Sequence, residues 1–461
     1  MSTFTRGQRV FRLSNLSFQP NIQFFSSGSS IALKDGGHRL VLFQNTSLDA
    51  CWLWSNDAKW LHPSSGQRMK TPADYPNVSI QSVRMMQKME KYIVPPKGSC
   101  HARGGIFNSQ VGDEADDKIL EIIWENCEEP SYFSLNWLME WALPKSPTHI
   151  TKRNAITRDS CLSEHEYDEL KQDEKSRLNL YEAIFQDGVA LIKNCPKVFQ
   201  KSPVAEIGGL LAGSLSHGAL YGSTFDVQSL PNAHNVAYTS IRLPPHQDLI
   251  YYESPPGIQL LHCYQRQNVI GGESILIDGL AAAHAFQELA PDFFDILTST
   301  TATFCKQREG ADMVAFRPHI QLSASNREII GVHWSPPFEG PIRAIDNVKE
   351  YYMAYTAFSL LIDKEFSKIQ PEFSPQLVES LKSYANDYTF TMSLEEGNMI
   401  VFNNRRVLHG RNSFEFLCGS GSRHLIGAYI NMEETLSKYR LSMRKQGWKH
   451  LTLNVGNNME A

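Results

Sequence analysis

Two histidines and one aspartate form the pattern in this sequence that is most suggestive of chemistry. His246 and Asp248 lie in the segment 244–248 (PPHQD), and His409 follows 163 residues after His246 in 407–411 (VLHGR). If 244–248 is a β-strand, its alternate residues point to one face, so an imidazole and a carboxylate can reach the same ion. Two neutral imidazoles and one carboxylate form the facial triad of non-haem Fe(II) oxygenases, which leaves positions open for a co-substrate and dioxygen. The pattern therefore predicts an iron site at these three residues.

Arg423 adds to this pattern because it lies 14 residues after His409. A guanidinium in that position can hold the far end of a dicarboxylate through paired, charge-assisted hydrogen bonds. Each residue alone indicates little, since a histidine near an aspartate is usually a surface pair and an arginine is usually a solvated salt-bridge partner. The order and spacing of the four residues together predict a metal site with an anion-binding residue beside it.

The composition limits the partners and the compartment. The chain has 461 residues, with Lys+Arg 44 against Asp+Glu 49 and a formal charge of -5, so no global cationic field favours nucleic acid or an anionic membrane. The eight cysteines form no C-x-C or C-x-x-C pair, which argues against a disulfide framework and favours a reducing compartment. No uncharged apolar run approaches the roughly 18 residues that span a bilayer. We expect neither a nucleic-acid partner nor a membrane span.

The N-terminal 34 residues differ from the rest. They contain Arg6, Arg9 and Arg12, many serines and no acidic residue before Asp35. This composition is typical of an organelle transit peptide, and a disordered tail is the alternative. We therefore expect a mitochondrial location, with a cytoplasmic location as the alternative.

The sequence predicts a small β-rich N-terminal domain over 37–142. Apolar and polar residues alternate at 39–43, and short apolar segments follow at 51–54 and 120–124, all of which we interpret as strands. The next segment, 143–175, contains two prolines and a charged run, so we expect a polar linker or an exposed helix there.

A larger domain is expected over 176–445, because strand and helix patterns alternate without βαβ periodicity. An amphipathic helix is predicted at 178–185 and a long helix at 348–366. Strands are predicted at 188–192, 274–278, 328–334, 398–403 and 424–430. Many strands with few helices favour a mainly β fold of the jelly-roll type, with flanking helices, over a doubly wound sheet.

Several ordered motifs resemble the γ-butyrobetaine dioxygenase and trimethyllysine dioxygenase family, which are TauD-like Fe(II)/2-oxoglutarate oxygenases. The motifs are 235–240 (NVAYTS), 246–248 (HQD), 255–263 (PPGIQLLHC), 271–279 (GGESILIDG), 408–411 (LHGR) and 422–429 (SRHLIGAY). The resemblance covers roughly residues 178–440 closely and 40–142 more loosely. So many motifs in one order are specific to this family.

The resemblance implies a double-stranded β-helix that holds Fe(II) and the co-substrate 2-oxoglutarate, with the small N-terminal domain helping to form a homodimer. Mapped by motif, the iron ligands are His246, Asp248 and His409, and Arg423 binds the remote carboxylate of 2-oxoglutarate. The implied reaction oxidises 2-oxoglutarate to succinate and CO2 and hydroxylates an unactivated C–H bond of the substrate. Ascorbate is expected as a reductant for iron that has become oxidised.

The resemblance also implies where the substrate binds. Aromatic walls that hold a trimethylammonium group by cation–π attraction correspond to Tyr221, Phe225, Tyr238 and Tyr429, with phenylalanine at 225 in place of a common tryptophan. For an arbitrary set of four aromatic residues, a place in the hydrophobic core is the more frequent role. Asn235 matches the butyrobetaine-type enzymes, whereas trimethyllysine-type relatives tend to carry an acid there. We therefore expect a small quaternary-ammonium substrate that carries a carboxylate.

Two departures from the family pattern are informative. The strand 331–337 (GVHWSPP) lacks the asparagine pair that butyrobetaine enzymes place near the substrate, which weakens the assignment of the substrate. Relatives also bind a structural zinc through three close cysteines and a later histidine, but residues 53–98 contain no cysteine and 124–128 contains no histidine. Because a structural zinc needs a full tetrahedral set, we expect no zinc here.

The expected function is thus hydroxylation of γ-butyrobetaine to L-carnitine, in carnitine biosynthesis. The alternatives are hydroxylation of trimethyllysine or of another quaternary-ammonium substrate. From a different class, the chain is a betaine-binding protein on the same fold, although such a protein has no need of an iron triad.

Overall fold

The chain divides into two units, residues 1–147 and 148–461. The computed structural model describes residues 31–42, 46–62, 67–70, 78–86, 118–125, 127–135, 138, 154–197, 202–218, 220–228, 239–308, 310–324, 327–343, 346–417 and 421–446. Most of the predicted transit peptide or tail therefore lies outside the described residues. Its last four residues, Ile31–Lys34, form a β-strand.

The first unit is built from two antiparallel sheets of three strands each. In chain order its elements are β1 (Ile31–Lys34), β2 (Arg39–Leu42), β3 (Thr46–Asp49), α1 (Ala50–Ser55), β4 (Ile80–Met86), β5 (Ile119–Trp124) and β6 (Cys127–Ser134). The sheets are β1-β2-β3 and β4-β5-β6, and both contribute side chains to one apolar cluster that includes Leu40, Leu120 and Trp124. The expected strand patterns at 39–43 and 120–124 correspond to β2 and β5. The independence of this unit as a domain stays a prediction.

The segment 51–54 forms a helix and not the strand that its apolar run predicted. Ala50, Leu53 and Trp54 are buried, and their spacing of three and four residues is the period of a helix face. A run of four apolar residues fits the period of a helix as well as that of a strand. The burial of this face against the sheets therefore decides the conformation.

The second unit contains the remaining elements. They are β7 (Ser163–Glu166), α2 (Tyr167–Gln172), α3 (Glu174–Glu182), β8 (Val189–Lys193), α4 (Pro203–Ala212), β9 (Thr224–Gln228), β10 (Leu243–His246), β11 (Ile258–Gln267), β12 (Val269–Gly271), β13 (Ser274–Asp278), α5 (Gly279–Leu289), α6 (Pro291–Ser299), β14 (Thr301–Arg308), β15 (Ala311–Pro318), β16 (Ile320–Leu322), β17 (Ile329–Val332), α7 (Val348–Asp363), α8 (Pro375–Asp387), β18 (Phe390–Met392), β19 (Met399–Asn403), β20 (Val407–Arg411), β21 (Phe414–Phe416), β22 (Ser422–Ile430) and α9 (Met432–Lys445).

Two segments of the second unit differ from what the sequence predicted. The segment expected as a linker, 143–175, contains β7 and α2, and β7 pairs in parallel with β8, so residues 163–166 belong to a sheet of this unit. The long helix α7 ends at Asp363 and not at 366, because Lys364 takes the left-handed conformation at φ 58° and stops the helix.

Two sheets pack face to face in the second unit. The larger has the order β7-β8-β19-β11-β22-β9, the smaller has the order β10-β20-β13-β18, and all pairs except β7–β8 are antiparallel. Leu191 and Phe402 of the larger sheet share one buried cluster with Leu276 and Val407 of the smaller sheet. The result is a mainly β sandwich with helices around it, in agreement with the expected fold class.

Helices cover the outer faces of both sheets. The cluster on the larger sheet includes residues of α2, α3, α4 and α9, and the cluster on the smaller sheet includes residues of α5, α6, α7 and α8. The sequence predicted few helices, yet α5 has a strong start signal, since the side chain of Asp278 accepts hydrogen bonds from two backbone amides of its first turn. No helix in the described ranges is long and apolar enough to cross a membrane.

A buried ion pair joins the start of α5 to the turn before β20. The Arg406 guanidinium lies 2.6 Å from Asp278 Oδ2, and the two side chains are 1% and 2% exposed. Removing one partner leaves the other charge buried and uncompensated. We therefore expect Arg406→Met to lower the free energy of unfolding by about 3–5 kcal/mol, measured by urea denaturation followed by circular dichroism.

The matched control for this prediction is Lys445→Met, which removes a lysine from an ion pair that is exposed on both sides. Exposed pairs contribute little, so its unfolding midpoint should stay close to that of the wild type. Adding Asp278→Asn to Arg406→Met should recover part of the loss, because the amide can still cap α5 without a buried charge. Equal effects of Arg406→Met and Lys445→Met would contradict the account.

Candidate active site

The structure brings His246, Asp248 and His409 together. The strands β10 and β20 are antiparallel neighbours, and their register places His246 opposite His409. Gly410 allows this close approach, because a side chain there would meet the Leu243 carbonyl oxygen at 2.7 Å. The candidate donor atoms of the three residues all lie within 4.8 Å of one another. These three side chains can therefore reach one ion.

Asp248 differs in its placement from the expectation. The strand β10 ends at His246, and Asp248 lies in the turn that follows. Its backbone amide donates to Asn404 Oδ1, and Asn404 Nδ2 donates to its carbonyl oxygen, each at 3.1 Å. The side chain of Asn404 thus fixes the turn, and this turn, not strand alternation, aims the carboxylate.

The orientation of the two imidazoles suits metal binding. His246 Nδ1 lies 2.8 Å from the carbonyl oxygen of Pro244, so this nitrogen carries the proton and donates it. Its Nε2 atom faces the carboxylate and lies 3.3 Å from Asp248 Oδ1. Burial, together with the adjacent His246, lowers the pKa of His409 to about 3, so His409 is neutral at pH 7. Metal-bound histidines need this neutral form.

Two neighbours hold the Asp248 carboxylate. Gln259 Nε2 and the Tyr429 hydroxyl donate to its Oδ2 atom at 2.9 and 2.6 Å. Burial would raise the pKa of Asp248, but His409, His246 and the hydrogen bond from Tyr429 outweigh this effect and lower the pKa, so the carboxylate is ionised. Burial and the Asp248 charge raise the pKa of Tyr429 well above its usual value, which keeps its hydroxyl protonated as a donor.

These donors fit a divalent transition metal. Two imidazoles and one ionised carboxylate match the ligand set of the 2-His-1-carboxylate sites that bind Fe(II). Groups that orient the ligands are present as well, namely Pro244 for His246, and Gln259 and Tyr429 for Asp248. The role of Gln259 was not predicted from the sequence. The signal for it is a glutamine between Ile258 and Leu260, in the buried first part of β11.

Arg423 lines the same cavity as the triad and is buried. Its guanidinium lies 5.4 Å from the ring centroid of Phe414, and no other described residue forms a hydrogen bond or an ion pair with it. Burial and the charge of Arg411 lower the pKa of Arg423 to about 10, so it stays cationic at pH 7. A buried cation of this kind is compensated when an anion binds beside it. The far carboxylate of 2-oxoglutarate fits this requirement.

Three of the expected substrate residues meet in this cavity. Tyr221 and Phe225 line it with Tyr429, and their ring centroids lie 4.9 and 5.0 Å from that of Tyr429. Phe225 packs over Gly427, where any side chain would overlap its ring. The cavity that these rings line measures about 160 Å³. The other two expected substrate residues, Asn235 and Tyr238, lie outside the described residues.

Comparisons with known proteins find relatives that are dioxygenases by name. The chain is 29% identical to dioxygenase str8 of Strobilurus tenacellus over 95% of this chain and 97% of that protein. It is 28% identical to a gamma-butyrobetaine dioxygenase of Pseudomonas sp. (strain AK-1), over 71% of this chain and 80% of that protein. It is 31% identical to the gamma-butyrobetaine dioxygenase of Homo sapiens, over 48% of this chain and 52% of that protein.

A family model described as taurine catabolism dioxygenase TauD, TfdA family matches residues 156–429. This range contains the triad, Arg423 and the three aromatic residues of the cavity, and it covers more than half of the chain. The protein therefore belongs to the TauD/TfdA family of dioxygenases, which use Fe(II) and 2-oxoglutarate.

Proposed function

We propose that the protein hydroxylates γ-butyrobetaine to L-carnitine, with succinate and CO2 as co-products. The observation that carries this proposal is the shared cavity of the His-Asp-His triad and the rings of Tyr221, Phe225 and Tyr429. Aromatic faces attract a quaternary ammonium group, which has no proton to donate to a hydrogen-bond acceptor. Two of the relatives reported above are gamma-butyrobetaine dioxygenases, which supports the same substrate class.

The residues of the cavity have different roles in this reaction. His246, Asp248 and His409 would hold Fe(II), and Arg423 would bind the far carboxylate of 2-oxoglutarate. The metal and co-substrate would supply the oxidation, in which one oxygen atom of O2 would enter succinate and the other would become the hydroxyl of the product. Gln259 and Tyr429 keep the Asp248 carboxylate aimed at the metal. The protein's further contribution is to place one C–H bond of the substrate next to the metal.

Tyr429 has two tasks in this proposal. Its hydroxyl donates to Asp248 while its ring contacts Tyr221 and Phe225, so it connects the metal site to the substrate wall. This connection sets the position of the ammonium group relative to the metal. Phenylalanine at 225 offers a weaker cation–π surface than the tryptophan common in relatives, and we expect modest affinity for the ammonium group.

A product-resolved assay tests the proposed function. Purified protein receives Fe(II), 2-oxoglutarate, ascorbate and oxygen with either γ-butyrobetaine or trimethyllysine, and NMR follows succinate and the hydroxylated product. We expect carnitine and succinate to form in equal amounts from γ-butyrobetaine. Hydroxylation of trimethyllysine alone would replace the proposed substrate with the alternative one. Turnover of neither compound, with 2-oxoglutarate still bound, would overturn the quaternary-ammonium assignment.

The proposal has three further parts that concern the whole protein. We assign the two packed sheets to a double-stranded β-helix, we expect a homodimer, and we place the protein in mitochondria because of its N-terminal composition. Size-exclusion chromatography with light scattering tests the dimer. Localisation of the protein with and without residues 1–34 tests the mitochondrial part.

A further inference from the structure

Gln247 lies between the two metal ligands His246 and Asp248, and a segment outside its own sheet holds it. The strand β10 is an edge strand of the smaller sheet, where β20 is its neighbour. The Gln247 amide donates to the Trp334 carbonyl oxygen at 2.8 Å, and the Trp334 amide donates to Gln247 Oε1 at 3.2 Å. The segment 334–335 therefore stabilises the chain at the point where the ligand-bearing edge strand ends.

The hydroxyl of Ser335 adds another contact to the same residue. It donates to the backbone carbonyl oxygen of Gln247 at 2.9 Å. Both residues are buried, so bulk water does not compete for this hydrogen bond. Ser335 belongs to the segment 331–337, which lacks the asparagine pair of butyrobetaine enzymes, and it is not among the described residues that line the active-site cavity. Its hydroxyl is thus committed to the peptide that joins the two metal ligands.

The segment that carries Ser335 is itself anchored. The amide of His333 donates to the His319 carbonyl oxygen at 2.7 Å, and His319 Nδ1 donates to the His333 carbonyl oxygen at 2.9 Å. Trp334 is buried against α7, where its ring stacks on that of Tyr355 with centroids 4.6 Å apart. Because packing and hydrogen bonds both fix the segment, it can hold the ligand-bearing peptide in one position.

Ser335 also connects this peptide to the wall of the cavity. Its carbonyl oxygen accepts a hydrogen bond from the Phe338 amide at 2.9 Å, in the short 3₁₀ helix Pro336–Phe338. Phe338 lines the cavity and contacts Tyr251 edge to face, with ring centroids 5.1 Å apart. One residue thus contacts both the peptide between two metal ligands and the turn that carries an aromatic residue of the wall.

We propose that Ser335 is a positioning residue, which holds the two metal ligands in place through the Gln247 peptide and fixes the distance between the metal and Phe338. Without the hydroxyl, this peptide is free to turn, and the side chains on either side move with it. A displacement of about 1 Å can lower the rate of an enzyme about 100-fold. The inference concerns the dioxygenase chemistry of the family and goes beyond the proposed substrate.

Metal affinity tests this inference without turnover. Metal-free wild type and Ser335→Ala are titrated with Mn(II), which stands in for Fe(II), and calorimetry gives the dissociation constants. We expect Ser335→Ala to bind Mn(II) about 5- to 10-fold more weakly, because ligands that are less fixed lose more freedom on binding. Gln247→Met removes the side-chain hydrogen bonds to Trp334 and Asn404 and should weaken Mn(II) binding at least as much.

Thr435→Val is the matched control. Thr435 is buried, and its hydroxyl donates to the Asn431 carbonyl oxygen at 2.7 Å at the start of α9. This variant also loses one buried hydrogen bond from a hydroxyl to a carbonyl, so its unfolding midpoint should fall about as far as that of Ser335→Ala. Its affinity for Mn(II) should match the wild type. Equal Mn(II) affinities in Ser335→Ala and Thr435→Val would overturn the inference, because Ser335 would then be a structural residue only.

A second measurement tests the link to the cavity wall. At saturating Fe(II), with γ-butyrobetaine and ascorbate, the wild type and Thr435→Val should form hydroxylated product and succinate in equal amounts. In Ser335→Ala the ratio of product to succinate should fall below about one half, because a misplaced C–H bond is missed. Ascorbate then supplies the two electrons, so that 2-oxoglutarate, O2 and ascorbate give succinate, CO2, water and dehydroascorbate.

The outcomes separate this inference from the proposed function. An unchanged ratio in Ser335→Ala would contradict the part that concerns Phe338. If the wild type hydroxylates neither γ-butyrobetaine nor trimethyllysine, the proposed function fails, and the Mn(II) titration still decides whether Ser335 positions the metal ligands.

Discussion

Asp248→Ala is expected to abolish hydroxylation, with a loss of kcat/KM of more than about 1,000-fold. The substitution removes the single anionic donor of the triad and leaves two imidazoles, His246 and His409. A divalent cation loses both a ligand and its charge compensation when this carboxylate is removed. Succinate formation and product formation, followed together by NMR, should both fall to the level of a sample without added iron.

The fold should survive this substitution. The backbone of Asp248 is held by Asn404 through two hydrogen bonds that do not involve the carboxylate. Circular dichroism and the unfolding midpoint should therefore match the wild type. The matched comparison is Gln259→Leu, which removes one hydrogen bond to the carboxylate and keeps the three ligands; it should weaken metal binding about 10- to 100-fold. Undiminished hydroxylation by Asp248→Ala would exclude the triad as the metal site.

The same variant distinguishes an enzyme from a betaine-binding protein on this fold. A binding protein would show no turnover, with or without the Asp248→Ala substitution. Its affinity for γ-butyrobetaine would not depend on the metal. We expect instead that the wild type consumes 2-oxoglutarate faster when the substrate is present and that Asp248→Ala does not.

Arg423→Met is expected to raise the KM for 2-oxoglutarate about 30-fold or more. The guanidinium is buried, and in the described part of the chain it has no hydrogen bond or ion pair, so its charge is available to the co-substrate. The KM for the substrate should change much less, because the aromatic residues of the cavity are untouched. Initial rates at varied 2-oxoglutarate concentration measure the effect.

Arg423→Lys provides the control for this second prediction. A lysine keeps the positive charge but cannot form the paired hydrogen bonds of a guanidinium, so it should restore the KM only in part. A KM for 2-oxoglutarate that is unchanged in Arg423→Met would show that another cation, such as Arg411, binds the co-substrate.

Much of the site could be predicted because its residues have fixed chemical preferences and lie on regular strands. His246 and His409 meet through the register of β10 and β20. Arg423, which was predicted as an anion-binding residue beside them, lies on the neighbouring sheet and lines the same cavity. The aromatic residues followed from the resemblance to a family. The assignments of Asn235 and Tyr238 stay predictions, since these residues lie outside the described ranges.

Other features depend on tertiary contacts that a sequence does not display. The turn that aims Asp248 is fixed by Asn404, which lies 156 residues away in the sequence. The helix α1 was predicted as a strand because its short apolar run fits the period of a strand as well as that of a helix. Burial against two sheets selects the helix.

The central claim is that one site, made by His246, Asp248 and His409 with Arg423 beside them, holds Fe(II) and 2-oxoglutarate together. Anaerobic equilibrium dialysis of the full chain against Fe(II), with and without 2-oxoglutarate, tests it most directly. We predict one iron per chain, tighter binding of 2-oxoglutarate when iron is present, and loss of the iron in Asp248→Ala. Iron bound equally by wild type and Asp248→Ala, or 2-oxoglutarate affinity that ignores the metal, would contradict the account.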